Sequence, residues 1–139
     1  MASSGRAGMK RIKRRGDFVA AARALSSAMP GLVLQARQRQ DDDVPRVGFT
    51  ATRKLGNAVV RNRVKRRLRA LAEQHLKPVA MTGFDYVIIG RGATADRPFA
   101  ELQEDLRRAF ARVHGIRKST PAVARSGESE IAGPEGPGA

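Results

Sequence analysis

The sequence predicts an α+β fold in which helices pack on one small sheet, and three observations carry that prediction. Residues 58–77 and 97–113 each place apolar side chains at helical spacing. Residues 46–52 alternate with period two, with Val47, Phe49 and Ala51 on one side and Gly48, Thr50 and Thr52 on the other. Residues 84–89 form a β-rich apolar run without alternation, which predicts a central strand buried on both faces.

A chain of 139 residues fits one domain. Its folded part is expected over residues 9–117, between a small, polar, disordered leader at 1–8 and a disordered tail at 118–139 that is rich in Pro, Gly and Ser. Five cations, Lys10, Arg11, Lys13, Arg14 and Arg15, follow the leader and read as a solvated segment. A helix is then expected from Gly16 or Asp17, with Asp17 as its cap and Phe18, Ala21, Ala22 and Leu25 at helical spacing. Pro30-Gly31 ends it. A short strand at 32–37 follows and is expected to pair as a hairpin with 46–52 across a polar turn holding Asp41, Asp42, Asp43 and Pro45. Those three acids read as hydrated turn residues and not as a metal site.

Residues 54–56 turn the chain, and Asn57 is a good N-cap for the helix after it. Val60, Val64, Leu68, Leu71 and His75 form one stripe on that helix, which Pro78 stops. Its length, if it runs over 58–77, is about 30 Å at roughly 1.5 Å per residue. Residues 90–96 read as a loop. On the last helix, Phe99, Leu102, Leu106, Phe110 and Val113 form the core stripe, while Glu101, Glu104 and Asp105 precede Arg107, Arg108 and Arg112 in the order that the helix dipole favours.

Composition excludes several function classes. There is no Cys, so disulfide frameworks and Cys-based zinc sites are ruled out, and the two His lie far apart. Apolar runs are too short for a membrane anchor and no apolar signal region is visible, so the expected location is cytoplasmic, with no membrane partner. Five Phe and one Tyr exclude a large base-stacking surface. No convincing Ser/His/Asp, Cys/His or paired-carboxylate arrangement occurs, and His75 and His114 read as structural. A net charge of +14 and a pI near 11.6 point to a polyanion.

The charge is concentrated where stability does not call for it. Arg53, Lys54, Arg61, Arg63, Lys65, Arg66, Arg67 and Arg69 stand in one stretch, and no Asp or Glu lies between Arg46 and Ala72. Arg61 and Arg63 oppose the helix dipole at a cost of a few tenths of a kcal/mol each, roughly. The pairs Arg61/Lys65 and Arg63/Arg67 add similar repulsion. One sign of charge opposite an apolar stripe thus reads as a phosphate-binding face. Arg side chains fork onto phosphates, and structured RNA is recognised largely through shape and backbone, whereas no helix-turn-helix or zipper context for duplex DNA is present.

The order of strand, basic helix, apolar strand and amphipathic helix over residues 10–113 resembles the bacterial ribonuclease P protein family. Residues 54–66, KLGNAVVRNRVKR, carry the resemblance most specifically, with the Arg-Asn-Arg signature intact at Arg61, Asn62 and Arg63. The resemblance implies a two-layer sandwich of the ribosomal protein S5 domain 2-like type. That fold has a mixed four-stranded sheet, three helices and a left-handed βαβ crossover. It further implies that an RNA subunit, using Mg²⁺ bound mainly by that RNA, hydrolyses the bond joining the 5′ leader to tRNA. The protein would bind that RNA and grip the leader of the precursor tRNA. Lys54, Arg61, Asn62, Arg63, Lys65, Arg66, Arg67 and Arg69 fall on the implied RNA-facing surface, beside Arg53. Phe18 falls at a leader-binding aromatic, whereas Ala22 and Gln35 stand where the family carries aromatics. The alternatives are a ribosomal-type RNA-binding structural protein and a self-sufficient nuclease.

Overall fold

The computed structural model describes residues 8–115. The expected tail and, apart from Gly8, the expected leader lie outside those residues. The elements are β1 (Lys10–Arg11), α1 (Arg15–Ala22), β2 (Leu25–Ala28), β3 (Leu32–Gln38), β4 (Arg46–Thr50), α2 (Ala58–Leu71), β5 (Phe84–Gly90) and α3 (Phe99–Val113). This is an α+β fold with three helices on a mixed sheet. The sheet has five strands in the order β1-β4-β5-β3-β2, not four.

Two strands lie outside the segments read as strands: β1, within the run read as solvated, and β2, which is cut from the expected first helix. That helix ends at Ala22, and Leu25–Ala28 pairs antiparallel with β3, from Leu25 opposite Ala36 to Ala28 opposite Val33. Pro30-Gly31 is therefore a hairpin turn, closed by the Met29 N–H on the Leu32 carbonyl at 2.7 Å. Asp17 is not the cap. It lies inside the first turn, and its carboxylate reaches Arg37 and Arg46 at 3.3 and 3.4 Å.

The expected β3–β4 hairpin does not form either. β5 lies between them, antiparallel to β3 and parallel to β4. The reason is the apolar character of β5: a strand buried on both faces takes the centre, where both edges find hydrogen-bond partners. The β3–β4 connection must then pass over the start of β5. Arg39 fastens it there, with its guanidinium on the carbonyls of Phe84, Asp43 and Val44 at 2.9 to 3.1 Å. Asp41 is not merely hydrated, because it accepts from Arg39 and from the Asp43 N–H.

The period-two pattern sorts the sheet into two faces. Leu34 and Ala36 of β3, Val47 of β4, and Tyr86 and Ile88 of β5 are buried beneath α2 and α3 in the main core. The stripe of α2 enters this core through Val64, Leu68 and Leu71. Asn57 caps α2 as expected, accepting from the Val60 N–H at 3.0 Å. His75, however, is exposed and Leu76 is buried in its place. Residues Ala72–Leu76 form a π-helical turn, with the Lys77 N–H on the Ala72 carbonyl at 2.8 Å, and the extra residue in that turn moves the stripe on by one. The last helix begins at Phe99. Arg97, expected inside it, pairs instead with buried Asp105 at 2.8 Å.

His114 closes the core beside three aromatic rings. Its ring lies 4.4 Å from that of Phe110, and its Nε2 is 2.7 Å from the Tyr86 hydroxyl. That hydroxyl accepts from the Met81 N–H, so it can donate to a neutral imidazole. Burial pushes the Tyr86 phenol up and the His114 imidazole below its ordinary 6.5. The unfolded chain therefore takes up a proton at His114 before the folded one does. The stability that neutral His114 contributes is present above 6.5 and is lost as the pH falls below it towards the lower folded value. Urea melts on either side of that value should show this loss, and His114→Gln, which keeps an acceptor for Tyr86, should remove it.

Candidate nucleic-acid interface

α2 presents the basic residues on the side away from the core. Arg53 and Lys54 are exposed on the 3-10 turn Arg53–Leu55 that leads into the helix. Gly56 follows with φ near 142°, a conformation that side chains oppose, and Asn57 then starts the helix. Asn62, Lys65, Arg66 and Arg69 fall at i, i+3, i+4 and i+7, so they share one exposed face, and Arg63 is exposed beside it. Among the described residues no ion pair involves Arg53, Lys54, Arg63, Lys65, Arg66 or Arg69. Their charges, four on the packed helix and two on the turn before it, are not neutralised within the described residues.

Two of the predicted residues also bond to backbone within the protein. Arg61 donates to the Gly56 carbonyl at 2.9 Å and pins the turn ahead of the helix. The Arg67 guanidinium donates to the carbonyls of Thr94, Ala95 and Arg97 at 2.8, 2.9 and 2.6 Å. It ties α2 to the turn before α3 and has few donors left for a phosphate. The sequence could not separate Arg67 from Arg66, because the carbonyls that engage it lie about thirty residues away.

The second face of the sheet is organised in cross-strand rows. Gln35, Val87 and Gly48 stand in register in one row, and Arg37, Asp85 and Arg46 in the next. α1 lies over these rows. Phe18 is half-buried against Gly48, where a Cβ would come within 2.5 Å of its ring. Only glycine admits the ring this close to the strand. Phe18 packs with Ile12, Ala21, Val87 and Ile89, so it is partly a core residue, and Gln35 is half-buried on the same face. The structure thus brings Phe18, seated on Gly48, to the same face as Gln35, whose strand lies two strand spacings, about 10 Å, from that of Gly48. Ala22 is exposed.

Sequence reasoning missed the neighbouring row. Asp85 is fully buried and receives Arg46 in a two-pronged pair at 2.8 and 2.8 Å, Arg39 at 2.7 Å and Arg37 at 3.5 Å. Hydrogen bonding to Asp85 pushes the Arg46 guanidinium up, while bonding to Asp41 does so for Arg39; burial opposes both shifts. The legible signal was a single acid inside an apolar strand, which cannot be buried without partners.

Among the described residues no group of three or more His, Asp or Glu could hold a metal ion, and no helix is long and apolar enough to cross a membrane.

Comparison with known proteins identifies the family. The chain matches the family described as Ribonuclease P over residues 7–114. It is 46% identical over 110 residues to the ribonuclease P protein component of Ruegeria pomeroyi, covering 77% of this chain and 88% of that one. It is 47% identical over 108 residues to that of Gluconacetobacter diazotrophicus, covering 77% and 92%. Among solved structures, the RNase P protein of Staphylococcus aureus superposes with a TM-score of 0.61 at 28% identity, covering 73% of this chain and 93% of that one. The RNase P protein of Thermotoga maritima gives 0.60 at 26% identity, covering 78% and 98%. With most of the chain matched by sequence and by fold, the protein belongs to the ribonuclease P protein family.

Proposed function

We propose that this chain binds a ribonuclease P RNA and the 5′ leader of precursor tRNA, and so promotes endonucleolytic removal of the leader to form the mature tRNA 5′ end. The observation that carries this reading is the acid-free face of α2. Its cations are fixed by a helix whose opposite stripe is buried, so little side-chain or backbone ordering remains to be done when phosphates arrive. Arg63 and Arg66 can each fork onto phosphate oxygens, and Asn62 adds neutral donors beside Arg66. The second face, with Phe18 and Gln35, takes the leader more by charge than by stacking, since Ala22 and Gln35 carry no ring. The RNA subunit supplies the hydrolysis with its bound Mg²⁺, and the complex works in the cytoplasm. On this reading the β4-α2-β5 unit is the left-handed crossover of a ribosomal protein S5 domain 2-like fold.

Two folded RNAs brought together repel, and cations from either the protein or Mg²⁺ relieve that repulsion. Reconstitution with a ribonuclease P RNA and a precursor tRNA at low Mg²⁺ therefore tests the proposal. The expected result is faster leader removal than by RNA alone, with the difference shrinking as Mg²⁺ is raised. A protein that binds RNA but gives no gain would be a ribosomal-type structural protein instead.

A further inference from the structure

We infer that a cleft at the start of β4, at the opposite end of that strand from α2, binds phosphates of single-stranded RNA, as a continuation of the leader path past Phe18. The inference rests on the RNA-binding reading above and adds a site to it. The cleft has a volume of about 610 Å³ and is lined by Lys10, Arg11, Lys13, Arg14, Arg39 and Arg46.

The first four belong to the run that reads as solvated chain, and the structure builds them into the fold. Lys10 and Arg11 pair in parallel with Arg46 and Val47. The Lys10 N–H donates to the Pro45 carbonyl at 3.0 Å and the Ile12 N–H to the Val47 carbonyl at 2.9 Å, while the Ile12 side chain is only 6% exposed. Lys13 and Arg14 are thus exposed on a fixed backbone, and among the described residues neither side chain has an ion-pair partner. The acids of the cleft are already engaged. Asp17 sits between Arg37 and Arg46, and Asp41 is held by Arg39. Asp43 is 3.9 Å from Lys10 and also accepts from the Val44 N–H.

α1 adds to the positive potential. Its N-cap, Arg14, offers no side-chain bond to the first turn, and the Asp17 N–H turns back to the Arg14 carbonyl, so the N–H groups of Arg15 and Gly16 and the positive end of the dipole remain open to an anion. No ring lines the cleft, which suits phosphates and not bases. Continuity favours the leader over a separate RNA: Asp17 at the cleft and Phe18 over Gly48 are adjacent residues of α1. β4 is about 17 Å long, so a strand entering near α2 and passing Phe18 reaches the cleft within that distance.

The test uses the full chain carrying Lys13→Ala and Arg14→Ala, which should melt like the parent because neither side chain is engaged. In the reconstituted complex, affinity for a long-leader precursor should lose salt dependence, by roughly 1.4 in slope for two single-strand phosphates. Affinity for a precursor with a single leader nucleotide should keep its slope. An unchanged slope with both precursors, or an equal fall with both, overturns the inference. A direct titration of the protein with a short single-stranded RNA reads the same cleft without the RNA subunit. A weaker fit by the double variant there supports it, and equal binding overturns it, whether or not reconstitution shows a gain from the parent protein.

Discussion

Asp85→Ala is expected to cost about 3–5 kcal/mol of stability, the range for breaking a buried ion pair by removing one partner. Asp85 is 0% exposed, and three guanidinium groups converge on it. Removing the carboxylate leaves Arg39, whose side chain is only 7% exposed, beside Arg46 and Arg37 with no charge between them. Asp17 still pairs with Arg37 and Arg46, and Asp41 with Arg39, but both carboxylates lie at the solvent side and neither replaces the buried acceptor at the centre of the cluster. The damage spreads because Arg39 also holds the β3–β4 connection over the start of β5 and Arg46 begins β4. Asp85→Asn, which keeps the shape and one acceptor, separates charge from hydrogen bonding and should fall between the parent and Asp85→Ala. Chemical denaturation measures all three, and a melt of Asp85→Ala within half a kcal/mol or so of the parent would show that the cluster contributes little net stability.

What the sequence made legible follows from how local each signal is. The stripe of Val64, Leu68 and Leu71 and the cap at Asn57 depend on residues within a turn or two of each other, and both are found where the pattern places them. Strand pairing is not local. Nothing near residues 32–50 says that residues 84–90 come between the two strands, so the neighbouring segments resemble a hairpin. The same distance hides the carbonyls that engage Arg67 and the carboxylate that gathers Arg37, Arg39 and Arg46. The shift from His75 to Leu76 needs one π turn that no residue type announces. At the candidate interface the sequence identifies which charges are present, whereas the structure separates those left free from those that fasten the fold.

That separation decides the second large effect. Arg63→Ala with Arg66→Ala should leave the fold intact, because neither guanidinium has a partner among the described residues and both are exposed. Alanine also has higher helix propensity than arginine and relieves like-charge crowding on α2 by a few tenths of a kcal/mol, roughly, so a slight gain in stability is expected. RNA binding should respond in the opposite direction. Each phosphate that the protein no longer neutralises lowers the salt slope by about 1, so the double variant should fall by roughly two units and bind more weakly at low salt. Arg67→Lys provides the contrast, since it keeps the charge and gives up the three-carbonyl fork. It should leave the salt slope near that of the parent while lowering the melting point. If instead the Arg63/Arg66 variant keeps its slope and Arg67→Lys lowers it, phosphate binding belongs to the groove between α2 and the turn before α3, and the exposed face of α2 is only solvated.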